Sequence, residues 1–347
     1  MEHPVLNIIE MEEQPLVSLC IPAYNSAHYI LQTLESIFNQ SYSNIEVIVV
    51  NDGSTDNTLS ILKGIAHLNL HVFPNIGKGA SAARNTAYKN STGNYIKFLD
   101  ADDVINGTCI ETQVQHLKNK VDCVASAKWG RFFKNDLSDF LFSPELVWKT
   151  MPGIDWVIES IIESGSNMTQ PGIFLIPRTI IEKVGLWDES ISLIDDFDFM
   201  TRVLTASNEV VFCEDAILYY RGGLSNSLSM QRSRKSMESA YQAQIKGIEI
   251  ILNKKLTEKS KLACANSLQL WAHAFYPLHK DLYNKACRKI RELGGSNVKM
   301  DGGKLFHFMR ATFGWQTAKR IKLFFDRFRK TDITNPKFLI PNRNAIK

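Results

Sequence analysis

The sequence lacks the marks of several common protein classes. Its six cysteines (Cys20, Cys109, Cys123, Cys213, Cys264 and Cys287) include no CxxC pair and no histidine partner at zinc spacing, so neither a disulfide framework nor a structural metal is expected. No apolar run approaches the ~20 residues of a membrane span. Residues 1–14 carry four glutamates but no basic segment followed by an apolar one, which argues against a signal peptide and predicts a cytoplasmic location. A GK[ST] phosphate loop is missing, and the first strand–helix turn has no glycines, which disfavours an oxidoreductase. Outside residues 304–330, which hold eight basic residues and one acidic one, the chain is slightly acidic despite a total charge of +4. That balance excludes a nucleic-acid-binding body.

What is present is an alternation of strand and helix. Leu16–Ile21 reads as a strand, and Ser26 can cap a helix whose Ile30, Leu34, Ile37 and Phe38 recur at helical spacing. Ile45–Val50 is β-branched at every position but Glu46, the pattern of a strand covered on both faces. Asn51-Asp52-Gly53-Ser54-Thr55-Asp56 is a turn with caps for a helix bearing Leu59, Leu62 and Ile65. A strand at Leu70–Phe73, a helix at Ser81–Lys89 and a strand at Asn94–Leu99 complete a Rossmann-like half. Further strands are expected at Val121–Ala125, Ile173–Ile176, Val210–Cys213 and Ile217–Tyr220, with helices at Asp155–Glu163 and from Asp195. Three long helices follow at Met237–Leu252, Lys259–Ala274 and Leu282–Leu293, so a boundary is placed near Ser229. The expected organisation is a tail at 1–14, an α/β domain at 15–229 and a helical appendage at 230–347.

The chemistry concentrates at Asp100-Ala101-Asp102-Asp103. Two carboxylates two residues apart at a strand's carboxyl end can converge on one hard cation, Mg²⁺ or Mn²⁺, of the kind shared with substrate phosphates. Tyr24 offers an aromatic face at the end of the first strand, on a loop that Pro22 stiffens. Asp52 can accept a hydrogen bond from a base N–H or can simply cap a turn. The small residues of Gly77 to Asn85 allow a helix to approach a nucleotide. Arg84 within them either supplies a fixed cation there or pairs with a neighbouring acid. Asp195, Asp196 and Asp198 crowd one helix start, where the dipole favours carboxylates.

The order of these motifs resembles the family 2 glycosyltransferases: Ile21-Pro22-Ala23-Tyr24-Asn25, Asn51 to Asp56, Gly79 to Asn85, Asp100-Ala101-Asp102, then Gly185-Leu186-Trp187-Asp188-Glu189 and Asp195-Asp196-Phe197-Asp198 with Arg202. The resemblance covers about residues 15–229. It implies a GT-A fold: a Rossmann-like mixed, mostly parallel sheet flanked by helices, here with a C-terminal α-helical appendage. It further implies an inverting, metal-dependent transfer of a sugar from a nucleotide sugar, most simply a UDP-sugar, to a glycan or lipid-linked acceptor in surface-polysaccharide or glycoconjugate assembly. Pro22, Ala23, Tyr24, Asn25, Asp52, Gly79, Arg84, Asp100 and Ala101 would then line the nucleotide, Asp102 would ligate the metal, and Asp196 would be the general base. An inactive relative serving as a scaffold or sugar-nucleotide sensor is the alternative. A sugar-1-phosphate nucleotidyltransferase would need a Gly-rich loop where Pro22–Asn25 stands.

Two features depart from the pattern or extend it. Asn75 stands two positions earlier than the common spacing. Many relatives read Tyr-Arg-x-His after the last strand, whereas Tyr220-Arg221-Gly222-Gly223 has glycine in place of the histidine; Arg221, Arg232 or Arg234 would have to supply the positive contact to the diphosphate. The basic end of the chain, with Trp315, Ile321, Phe324, Phe325 and Phe328, either lies on an anionic membrane as a peripheral contact or packs its aromatics on the preceding helices.

Overall fold

The computed structural model describes residues 14–166, 168–224, 232–300 and 302–328. The expected boundary near Ser229, the amino-terminal tail before residue 14 and the basic residues after 328 lie outside them. The first half follows the predicted alternation: β1 (Val17–Ala23), α1 (Ile30–Phe38), β2 (Ile45–Asn51), α2 (Thr58–Lys63), β3 (Leu70–Pro74), α3 (Ala80–Lys89) and β4 (Tyr95–Phe98). β1 and β2 are apolar on both faces and almost wholly buried, as strands covered by helices on each side must be. β1 lies between β2 and β4 and is parallel to both, with Ala23 opposite Asn51 and Cys20 opposite Phe98. Their carboxyl ends therefore open on one edge, which carries Tyr24, Asp52 and Asp100.

The second half is less regular. It contains β5 (Val104–Ile105), α4 (Cys109–Leu117), β6 (Cys123–Phe132), β7 (Leu141–Phe142), β8 (Met151–Pro152), α5 (Gly153–Ile162), β9 (Phe174–Pro177), α6 (Arg178–Val184), α7 (Asp195–Ala206) and β10 (Glu209–Arg221). The main path of the sheet runs β3-β2-β1-β4-β9-β6-β10-β5, with β7 on β6 and β8 on β10. Its long ladders, such as the ten-residue β6–β10 pairing, are parallel, while the antiparallel ones are two residues each. The structure thus has the expected mixed α/β sheet.

Three expectations change. Ser26 does not cap α1 with its side chain: the helix starts after Tyr29, and only the Ser26 carbonyl takes part, accepting from Tyr29 N and Ile30 N in the turn before it. The separate strands at 210–213 and 217–220 are one strand, β10, whose register on β6 shifts between Cys213 and Ile217. A bulge of this kind leaves extra residues unpaired without ending the strand, so Glu214 and Asp215 at its crest read as a turn in the sequence. The strand expected to end at Ala125 runs on to Phe132, because the polar Ser126, Lys128 and Arg131 still pair with β10.

Three helices continue the chain, α8 (Arg234–Lys254), α9 (Glu258–Phe275) and α10 (Lys280–Glu292), close to their predicted bounds. Ser233 accepts the Ser236 N–H and Thr257 forms a capping box with Ser260, which sets where α8 and α9 begin. They do not form a separate core. α8 packs on α7, α9 on α5, and one continuous apolar cluster extends from Val17 to Leu293. A last helix, α11 (Lys304–Phe328), is kinked at Gly314.

The α5–α7 contact is close. A Cβ on Gly153, the first residue of α5, would stand 1.9 Å from the Leu204 carbonyl oxygen near the end of α7. Gly153→Ala should therefore cost about 1–3 kcal/mol through overpacking, read as a lower urea midpoint. An unchanged midpoint would mean that the two helix ends separate freely.

Candidate functional site

The loops after β1 and β2 are tied to each other. Asn25, in the left-handed region at φ 48°, donates its backbone N–H to Ser54 Oγ (3.0 Å) and accepts the Thr55 N–H on Oδ1 (2.8 Å). Asp56 accepts from Ala27 N and Thr58 N, so it starts α2 as its position suggests. Asn25 is thus a loop-closing residue here. Pro22 and Ala23 belong to β1, and Tyr24, which follows them, is 60 % exposed at the carboxyl edge of the sheet.

Asp52 is held from two sides. Oδ1 accepts from Asn75 Nδ2 at 2.6 Å, and Oδ2 accepts the backbone N–H of Gly79 at 2.9 Å. Gly79 (φ 90°) has the conformation that lets this N–H turn toward the carboxylate at the start of α3. Asn75, whose spacing set it apart, is therefore a member of this group. Each Asp52 oxygen retains a lone pair for a further donor.

One side chain joins the remaining acids. Arg84, 6 % exposed on α3, donates from Nη2 to Asp100 Oδ1 (2.8 Å) and from Nη1 to Asp195 Oδ2 (3.0 Å). Its guanidinium lies 4.5 Å from the centre of the Trp187 ring, which in turn stacks on Phe199 of α7. Ser81 Oγ adds a second bond to Asp195 (2.8 Å). Arg84 thus pairs with neighbouring acids, and it draws the end of β4 and the start of α7 together. Trp187 is fixed by Asn85, which donates to its carbonyl and accepts its N–H, both at 3.0 Å.

Asp195 takes both of these bonds on Oδ2, whereas Asp196 has no side-chain donor. Its Oδ1 accepts the Phe197 N–H (2.8 Å), and among the described residues Oδ2 has no partner. Burial, helped by the adjacent Asp195 charge, raises its pKa to about 6, with Arg84 opposing the shift. The residue before the pair, Ile194, has φ 56° and ψ 35°. A β-branched residue rarely adopts this left-handed conformation, and strain of ~1–3 kcal/mol concentrates where surrounding bonds fix a site. Asp198 instead pairs with Arg202 (2.8 Å), which also caps the last carbonyls of α6.

Asp100, Asp102 and Asp103 bring carboxylate oxygens within 4.8 Å of one another. Asp103 is fully buried, accepting the Arg221 N–H (2.8 Å) and Gln170 Nε2 (2.6 Å). Asp102 has no side-chain hydrogen bond among the described residues, and burial beside Asp100 pushes its pKa up to about 7. An unpartnered carboxylate in a cluster of hard oxygen donors fits a Mg²⁺ or Mn²⁺ ion. Ala101 is buried between the two.

Arg221, expected as a diphosphate contact, is engaged by protein groups through all three of its guanidinium nitrogens. Nε donates to the Asp102 carbonyl (2.8 Å), Nη1 to Asn135 Oδ1 (2.8 Å) and Nη2 to Gln32, while the guanidinium lies between the Tyr29 and Phe132 rings. It shapes the Asp102 loop from beneath. Arg234 pairs with Glu238 and Asp281, and Arg232 lies in the field of Lys319 on α11. A side chain at Gly222 would meet the Phe133 ring at 2.6 Å, which accounts for the first glycine of that pair. Gln170 went unmarked in the sequence because it is one polar residue in a loop with no motif around it, and Ser81 because within Gly79 to Asn85 it reads only as one more small residue.

Residues 18–155 match the family model described as glycosyl transferase family 2. The chain is 31 % identical over 197 residues to an uncharacterized glycosyltransferase of Rickettsia prowazekii (strain Madrid E), covering 56 % of this chain and 60 % of that protein. It is 29 % identical to glycosyltransferase GlyG of Streptococcus pneumoniae serotype 4, covering 59 % and 70 %. Matches to the first of these relatives thus span less than two thirds of their length. The crystal structure of S. aureus TarS 1–349 in complex with UDP superposes with a TM-score of 0.60 at 21 % identity, covering 88 % of this chain and 91 % of that one. The shared fold is the GT-A fold expected from the motifs.

The raised pKa of Asp196 carries a sign for stability. Folding raises this pKa, so the folded chain holds the proton more tightly. The stability this contributes is full below the ordinary value of 3.8 and is lost as pH rises through about 6. Asp196→Asn should then raise the thermal midpoint relative to wild type at about pH 8, with the gap closing by about pH 4. A variant less stable than wild type at the higher pH would show the carboxylate to be stabilised where it sits.

Proposed function

From the match of residues 18–155 to the glycosyl transferase family 2 model, we propose that the chain is a member of that family and an inverting, metal-dependent glycosyltransferase that moves a sugar from a UDP-sugar to a hydroxyl of a glycan or lipid-linked acceptor. The observation that carries this reading is the Arg84 bridge. It sets the acid cluster suited to a nucleotide diphosphate and the acid suited to a proton acceptor on opposite sides of one cation. TarS, which shares the fold, has crystal structures in complex with UDP and with UDP-GlcNAc, in line with a UDP donor here.

In the proposed reaction the base stacks on Tyr24 and the Asp52 carboxylate accepts its ring N–H. Asp100 meets the ribose. Asp102 would hold the metal, and a cation bound there would neutralise charge on the diphosphate. The acceptor hydroxyl, hydrogen-bonded to the open Oδ2 of Asp196, attacks the anomeric carbon from the face opposite the departing UDP. The carbon–oxygen bond to UDP breaks as the new one forms, and the hydroxyl proton passes to Asp196. One displacement inverts the anomeric centre. A carboxylate whose pKa is about 6 is a stronger base than an ordinary one yet still ionised near neutrality.

Asp196→Asn should lower turnover by roughly 10² to 10⁴, and wild-type turnover should fall on the acid side with an apparent pKa near that of Asp196. Asp195→Asn, which weakens only the tie to Arg84, should cost less. A larger defect in Asp195→Asn, or a product of retained configuration by NMR, would reassign the base.

Asp52→Asn retains the bond to Gly79 through its carbonyl oxygen but lacks the charge. UDP affinity by calorimetry should drop by ~1–3 kcal/mol if the carboxylate accepts the uracil N–H. Equal affinities would remove Asp52 from base recognition.

A further inference from the structure

α11 is only half seated on the protein. On its inner side the Trp315 ring lies 4.8 Å from His273, 5.3 Å from Tyr276 and 6.0 Å from Tyr283. Ala318 is fully buried, Lys319 Nζ donates to the His273 carbonyl, and Gln316 Nε2 donates to the Tyr283 hydroxyl (2.8 Å). These contacts fix where the helix sits, so the remaining side chains are displayed rather than loose.

What is displayed is apolar. Leu305, Phe308, Phe313, Leu323, Phe324 and Phe325 are exposed, Phe308 by 65 % and Phe325 by 57 %. Four of the six exposed phenylalanines among the described residues stand in this one helix. Phe324 and Phe325 lie edge to face, 5.9 Å between centres, near its end. A soluble surface scatters such residues singly, and their concentration marks a docking face.

The charge on the same helix says what the face docks on. Residues 304–328 hold six lysines and arginines against the single acid Asp326, while the rest of the chain is near neutral. Lys319 itself is turned inward onto the His273 carbonyl, and burial with the neighbouring Arg232 and Lys322 charges pushes it down to about 8. Arg320 extends over the Tyr276 ring at 5.3 Å. A second copy would bring two positive faces together, and like charges oppose that pairing. An anionic bilayer takes both features, its headgroups meeting the cations and its acyl boundary the phenylalanines. No described helix is long and apolar enough to cross a membrane, so the contact is one of lying on the surface.

We propose that α11 docks the protein on an anionic lipid surface through Phe308, Phe324 and Phe325 amid its basic side chains. This goes beyond the transferase reading and stands apart from it, since it is measured with no sugar donor present. Co-sedimentation of the full chain with vesicles of phosphatidylglycerol in phosphatidylcholine should show binding that pure phosphatidylcholine does not. Raising NaCl from about 0.1 to about 0.5 M should weaken it at least about tenfold. Phe324→Ser/Phe325→Ser should weaken it about tenfold or more while leaving the thermal midpoint and UDP binding unchanged. Phe308→Ser provides the same test from the other half of the helix if the double variant does not fold. Failure to bind the anionic vesicles, or binding unaltered by these variants, overturns the proposal. So does a wild-type dimer in light scattering that the double variant splits, which would make the face an interface between copies.

Discussion

The guanidinium of Arg84 is the interaction on which the site depends. Its two terminal nitrogens hold Asp100 from β4 and Asp195 from α7, residues almost a hundred positions apart, and the Trp187 ring covers its face. A lysine at this place has one charge centre and no fork, so it would reach one carboxylate and leave the other without its partner. Removing one member of a buried pair is costly because the remaining charge keeps its desolvation penalty. The bridge therefore fixes the spacing between the two acid groups as a property of the fold rather than of any ligand.

That arrangement leaves a deliberate imbalance. Asp100, Asp103 and Asp195 are each tied to side-chain donors, Asp195 through Oδ2, whereas Asp196 accepts only the Phe197 N–H and Asp102 has no side-chain hydrogen bond among the described residues. Both unsatisfied groups have raised pKa values, and in both burial is the largest cause. A fold optimised for stability alone would pair them. Two half-buried carboxylates held open, one of them two residues after a β-branched residue in the left-handed region, suit the proposed cation and proton acceptors.

Much of this was legible in the sequence, for identifiable reasons. Strands β1 and β2 are continuous apolar runs ending in polar turns, so both their existence and the edge at which Tyr24 and Asp52 emerge follow from pattern alone. β10 was split because the Cys213–Ile217 bulge places Glu214 and Asp215 in mid-strand, and periodicity has no means of joining two halves that share a partner. Arg221 read as a free cation because only the fold brings Asn135, Gln32 and the Asp102 carbonyl around it. Likewise, adjacency made Asp195 and Asp196 equivalent in the sequence. What separates them is Ser81 and Arg84 on a helix more than a hundred residues earlier.

The helices after residue 232 bear on the same acids. A Cβ at Gly247 on α8 would stand 2.4 Å from the Phe197 ring, so α8 approaches α7 at the residue that follows Asp196. Ser239 on α8 accepts the backbone N–H groups of Ser192 and Leu193, fixing the loop that leads into Ile194. The strained turn ahead of Asp195 is therefore held from two directions, by Arg84 and Ser81 on the sheet side and by α8 on the other. Strain of this kind persists only where the surroundings over-determine it. The helical region thus contributes no residue to the acid group but helps to fix where Asp196 sits, through Ser239 and the close approach at Gly247.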